Sequence, residues 1–297
     1  MTEAIVIVSG GSAISPFTTP TAGCATGQAA GSTDTYLRDG LQQAGHAVYT
    51  SPAFAGPGTA TADDGFAGFS DPPVVLDAEL TVNSVGTIDA AGTNLAAFLH
   101  YLRNQYGHSS FQLVAHSMGG LFSTAAISQL AGSELHIKSL TTLGTPWRGG
   151  FAADYAAGDL PLGAANGDTR FENVLTAFAD EVSSLPTPNA GQQVAGRAVD
   201  EWLPTQLGAF DGLRVTLIGG DVFTGSGSMW PNDGLVTLPS ALAEGIEADV
   251  LKNAARHVFG DAHSIFFADQ FGLPWEQALT WDPAVLKTVL VALGSRS

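Results

Sequence analysis

The sequence predicts an α/β fold, a mostly parallel sheet with helices on both faces and one helical insertion. Short apolar runs bounded by Gly, Ser or Pro alternate along the chain with stretches of helical periodicity, as parallel strands buried on both faces do. One such run, residues 111–114, passes through Ala115-His-Ser-Met-Gly-Gly120 directly into a helix-compatible stretch, residues 121–130. Between the strand-like run ending at Leu143 and the next one, starting at Arg214, lie about seventy residues, far more than an ordinary connection. At 297 residues the chain can bury a large core, and α/β folds of this length often form one domain. The expectation is a single domain over residues 1–297, with the insertion at 148–205.

The elements follow in order. Residues 4–8 are the first strand, ended by Ser9-Gly10-Gly11-Ser12. Residues 33–44 suit a helix, with Ser32 as its cap and Tyr36, Leu37 and Leu41 on one face; Gly45 stops it and residues 46–50 form the second strand. Residues 51–86 read as loop, broken near residues 58–61 and by Asp71-Pro72-Pro73. From Thr87, the residues Ile88, Ala91, Leu95, Phe98, Leu99 and Leu102 recur at helical spacing until Gly107. Residues 139–143 are another strand, running into Gly144-Thr145-Pro146-Trp147. Within the insertion, residues 171–182 and 191–203 are helical, with breakers at Pro161, Pro186 and Pro188. The insertion carries Phe151, Tyr155, Phe171, Phe178 and Trp202, so it reads both as a packed helical excursion and as a lid or cap over an apolar ligand. Residues 214–218 are the last clear strand, with a weaker one at 247–251.

Composition narrows the partners. Net charge is −17 with only 11 Lys and Arg, which makes nucleic acid and anionic membrane surfaces poor electrostatic partners. A single cysteine, Cys24, excludes an intramolecular disulfide and a cysteine-based zinc cluster, and no base is apparent beside it to make it a nucleophile. No run approaches 18 consecutive apolar residues, so no membrane-spanning helix is expected. Residues 4–8 read as a core strand and not as part of a signal peptide, which leaves an intracellular protein or a processed secreted form.

The chemistry centres on Ser117. A serine at a sharp strand-to-helix turn is lifted clear of the sheet, and backbone passes so close that the residues two before and two after must be small; here they are Ala115 and Gly119. The helix beginning at Gly119 directs its N-terminal amides and positive dipole end toward the serine, which suits a developing oxyanion. A serine hydroxyl needs a base, and the base an orienting carboxylate; in the α/β-hydrolases, whose nucleophile turn this one resembles, they follow in the order Ser, acid, His. His46, His100, His108 and His116 precede or adjoin the serine, and His136 lies on a helix-to-strand return. That leaves His263, in the loop-like Gly-Asp-Ala-His-Ser, ahead of His257, which lies nearer an element interior. For the acid, Asp233 in Trp-Pro-Asn-Asp-Gly-Leu-Val is preferred over Asp221, directly after residues 214–218, and over Asp261, too close to His263 in sequence to face its ring. Oxyanion donors are expected from the Met118 amide and from the loop after the first strand, Gly11 before Ser12. That loop lacks the Gly-x-Gly-x-x-Gly spacing of a dinucleotide site.

Assembled, these pieces resemble the serine α/β-hydrolases of the bacterial lipase and esterase kind. Ala-His-Ser-Met-Gly-Gly resembles the lipase nucleophile elbow in its variant with Ala first. Val-Ser-Gly-Gly resembles the oxyanion loop, with Ser9 where histidine is usual. Leu143-Gly-Thr-Pro-Trp-Arg-Gly resembles the Leu-Gly-Thr-Pro-His-x-Gly run, with Trp147 in place of histidine, and Asn-Asp-Gly-Leu-Val resembles the acid loop. The resemblance implies an α/β-hydrolase fold with a helical cap. It also implies hydrolysis of apolar acyl esters through Ser117, Asp233 and His263, with Ser12, His116 and Trp147 touching substrate. Transient contact with a lipid interface fits that substrate class, and no protein partner is implied. Some bacterial lipases hold calcium through an Asp two residues after the histidine; Ile265 stands there, so neither a metal nor a cofactor is expected. An acyltransferase or thioesterase would use the same three side chains, and a non-catalytic lipid-binding relative is the remaining alternative. Haloalkane or epoxide chemistry would want Asp at position 117.

Overall fold

A computed structural model describes residues 2–21, 35–60, 74–246, 251 and 253–294. Cys24, Ser32 and Asp71-Pro72-Pro73 lie outside them. Six parallel strands form the central sheet in the order β2-β1-β5-β6-β7-β8: β1 Thr2–Val8, β2 Val48–Thr50, β5 His108–His116, β6 His136–Leu143, β7 Arg214–Gly220 and β8 Ala255–Phe259. Two short strands, β3 Ala53–Phe54 and β4 Val82–Asn83, pair in parallel beside it.

Side-chain alternation explains why the strands read as unbroken apolar runs. Ala4, Val6 and Val8 of β1 and Leu113 and Ala115 of β5 face one layer, where they pack with Leu95 and Leu99 of α2 (Ile88–Tyr106) and Leu121 and Phe122 of α3 (Gly119–Gln129). Ile5 and Ile7 of β1 and Val114 of β5 face the opposite layer, against Leu37 and Leu41 of the helix Thr35–Gln43, here α1, and Val285 and Val289 of the last helix, Pro283–Ala292. Helix α2 begins where its pattern does. The Thr87 side chain accepts from the Ala90 amide, and Gly107 closes the helix in the left-handed conformation (φ 75°).

Between β6 and β7 the chain forms four helices: α4 Phe151–Ala156, α5 Thr169–Ser184, α6 Ala190–Gln193 and α7 Gly196–Trp202. Asp168 caps α5 through the Arg170 amide, and Asn189 with Gln192 forms a capping box on α6. Among the described residues the remaining α-helices are α8 Leu238–Ala241, α9 Ile265–Phe271 and α10, the Pro283–Ala292 helix already met. Phe171, Val174 and Leu175 of α5 bury against Phe151, Met229 and Phe271, which fastens the insertion to the segments after β7.

One expectation changes. Residues 51–86 are not all loop, since β3 and β4 pair across them. Of the weak strand expected at 247–251, residues 247–250 lie outside the described residues, and the last described strand is β8. The sheet ends at β8, and Ala255, Arg256, His257 and Val258 are exposed, so an edge strand without an apolar run carries no buried-strand pattern.

Candidate active site

Parallel strands deliver their following loops to one edge of the sheet, and the loops after β1, β5, β6, β7 and β8 meet there. Ser117 sits just past β5 with φ 54°, a left-handed backbone that costs a serine about 1–3 kcal/mol. Neighbouring chain holds it there. The Ser117 amide donates to the Leu143 carbonyl at 2.8 Å, and the Thr145 hydroxyl donates to the Ser117 carbonyl at 2.7 Å. Space is scarce around this turn. A Cβ on Gly119 would lie 2.5 Å from the Val8 carbonyl oxygen, and one on Gly10 2.6 Å from the Ser117 Cβ. Ala115 is tolerated because it is still on the strand, paired with Val8 and Thr142, with its methyl in the core.

His263 follows β8, in the turn leading to α9. Its Nδ1 lies 2.7 Å from Asp233 Oδ2, and its amide donates to the Asp233 carbonyl at 2.7 Å. Asp233 is fully buried, and its Oδ1 accepts from the amides of Leu235 and Val236 at 3.0 and 2.7 Å. Those bonds satisfy the carboxylate and aim its second oxygen at the ring. With Nδ1 bonded to the carboxylate, Nε2 is the free ring nitrogen; it is buried and has no protein partner among the described residues. Gly144 (φ 60°) passes this pair so closely that a Cβ there would lie 2.9 Å from Nδ1.

The other candidates stand apart. Asp221 directly follows β7, and its charge acts on Asp261. Burial, then Asp282, then Asp221 push Asp261 up to about 8. His257 is exposed on β8.

On the donor side, the Ser12 amide is spent on the Ser84 carbonyl at 3.3 Å, while the Gly11 and Met118 amides have no acceptor among the described residues. A Cβ on Gly11 would lie 2.6 Å from Met118 Sδ, so the Met118 side chain packs against Gly11. Both line, with Ser117 and Ser12, a largely apolar cavity of about 320 Å³ walled by Ala153, Val174, Phe178, Val182, Leu235 and Phe267. The Ser12 hydroxyl also donates to Glu181 of α5.

Two residues expected at the substrate are elsewhere. Trp147 is fully buried in the core, where its indole N–H donates to Thr142 Oγ1 at 3.3 Å and its ring packs on Phe210. Its turn sends the indole inward, away from the cavity. His116 is buried as well and does not line the cavity; its Nε2 meets the His263 carbonyl at 2.9 Å. Conversely, Ser84, Val85, Val182 and Phe267 line the cavity without having been singled out. They come from segments whose apolar spacing looks like any packed helix or loop. Among the described residues no group of three or more His, Cys, Asp or Glu is placed to hold a metal ion.

Comparison with known proteins agrees with this architecture. The family model described as the alpha/beta hydrolase fold matches residues 59–210, more than half of the chain. The chain belongs to the α/β-hydrolase fold family. The match includes Ser117 and stops before Asp233 and His263, which this α/β-hydrolase contributes from beyond β7. No curated protein sequence matches it. Among solved structures the α/β-hydrolase is similar to the mature form of the lipase BlEst2 from Bacillus licheniformis, with 15% identity, TM-score 0.57, and coverage of 99% of this chain and 92% of that one. It is also similar to lipase 1 from Pelosinus fermentans, with 13% identity, TM-score 0.53, and coverage of 97% and 98%. A third is carboxylesterase CesB from Bacillus subtilis, with 10% identity, TM-score 0.51, and coverage of 99% and 85%. At such identities the likeness shows the shared fold.

Proposed function

We propose that this α/β-hydrolase hydrolyses carboxylic esters with apolar acyl groups, as a lipase or carboxylesterase does. One observation carries the reading: His263 is bound through Nδ1 to a buried Asp233 with its Nε2 unpartnered, and its ring packs against His116, the residue directly before a serine held in a left-handed turn. Ser117 Oγ forms a bond to the ester carbonyl carbon as its proton passes to His263 Nε2. The amides of Gly11 and Met118 receive the oxyanion. Collapse of the tetrahedral species breaks the bond to the alkoxy oxygen, which leaves with the proton from His263. Water then attacks the acyl-serine by the same proton path, releases the acid and restores Ser117. Asp233 holds the tautomer that leaves Nε2 as acceptor and stabilises the imidazolium. Helices α4 to α6 act as a cap, and their apolar cavity wall favours hydrocarbon chains.

Hydrolysis of a p-nitrophenyl ester series from acetate to palmitate tests this, beside Ser117→Ala. The variant is expected to lose up to about 10⁶-fold in kcat. Full esterase activity in purified Ser117→Ala protein would sink the proposal.

A further inference from the structure

His116 is buried, lies one residue before the nucleophile, and has no part in the reaction just described. On β5 it shares a face with Val114, the face covered by α1 and α10, so its ring lies under the sheet edge and not in the cavity. There it meets His263. The two rings are 4.7 Å apart between centroids, tilted by 47°, and His116 Nε2 is 2.9 Å from the His263 carbonyl oxygen. A carbonyl only accepts, so Nε2 of His116 carries the proton and donates. His263 is thereby tied at three points: its amide to the Asp233 carbonyl, its Nδ1 to the Asp233 carboxylate, and its own carbonyl to His116. Two ties come from one residue on one loop. The third comes from the strand that carries Ser117.

Resting on the ester-hydrolase reading, we infer that His116 is a positioning residue, fixing the main chain of His263 in register with the serine next to it. The tie spans the two halves of the machinery, the β5 turn and the loop after β8. The charge state suits the task. Burial first, and the nearby His263 second, push His116 down to about 3, so it stays neutral beside a ring that becomes an imidazolium at each turnover. A cationic side chain at position 116 would donate the same bond and oppose that charge. Misplacement of a reacting group by about 1 Å costs on the order of 10²-fold in rate.

The test compares His116→Gln with His116→Met, side chains of similar length of which only glutamine can donate. We expect His116→Met to lower kcat about 10- to 100-fold with KM within about twofold, and His116→Gln to recover most of the loss. The second readout is the downfield proton resonance of the His263–Asp233 hydrogen bond. It is expected to shift or broaden in the methionine variant and to persist in the glutamine variant. If His116→Met does not fold, His116→Phe replaces it in the same comparison. Wild-type kcat and an unchanged resonance in the donor-less variant would overturn the proposal, and so would equal losses in both variants. The resonance needs no substrate. Failure of the wild type on every ester would therefore overturn the ester reading, while the spectra would still decide whether His116 holds His263.

Discussion

Around Ser117 the limits are set by backbone atoms, which cannot rotate out of the way. A methyl at position 119 would meet the carbonyl oxygens of Val8 and Ser9 at 2.5 and 2.7 Å. Gly119→Ala is therefore expected to destabilise the protein by about 1–3 kcal/mol and to depress kcat through the displaced turn, as denaturant unfolding and ester kinetics would show. The reverse change two residues before the serine is mild. Ala115→Gly removes a buried methyl from a strand and is expected to cost about 1 kcal/mol while leaving kcat nearly unchanged. This asymmetry explains what was legible at this scale. Small residues around a serine are visible as letters, and the chain order of Ser, acid and base orders the candidates Ser117, Asp233 and His263. The direction of a buried ring is not visible. His116 and Trp147 stand beside the right residues in sequence, yet strand parity and a tight turn point both into the interior.

Among the elements, α5 has the largest share in the cavity wall, with residues from Asn173 to Val182. Val182 lies on that face, close to Gly191 of α6. Val182→Phe is expected to lower kcat/KM for long-chain p-nitrophenyl esters at least tenfold more than for acetate, measured across the same series, because a ring there shortens the space for hydrocarbon. Equal losses at all chain lengths would mean that the substrate chain does not run along α5. The helix itself could be expected from its periodicity; its role as cavity wall could not. Amphipathic spacing says that one face is buried, and it is silent about whether that face meets core or ligand. The same physics hid β8. A strand at the rim of a sheet needs no apolar run, while β1, β5, β6 and β7, each with neighbours on both sides, announce themselves.

For the whole molecule, the clearest dependence on solution conditions comes from Asp261. Its carboxyl has a folded-state pKa of about 8 against an ordinary 3.8, through burial and the neighbouring Asp282 and Asp221. A raised acid stabilises the folded state fully below the unfolded value, and that contribution is lost as pH rises from about 4 to about 8. Asp261→Asn keeps the uncharged shape at every pH. Its Tm is expected to exceed that of the wild type at pH 8 to 9 and to converge with it near pH 4 in thermal unfolding across that range. A constant difference at all pH values would contradict this account. The parallel sheet also has a temporal meaning. Gly11 and Ser117 arrive just after β1 and β5, before the insertion, and Asp233 and His263 arrive only after β7. On the ribosome the proposed nucleophile is therefore made long before its proposed proton acceptor. Under the proposed mechanism a product truncated before β8 would lack the base and turn over no ester, so ester turnover would double as a report of completed assembly.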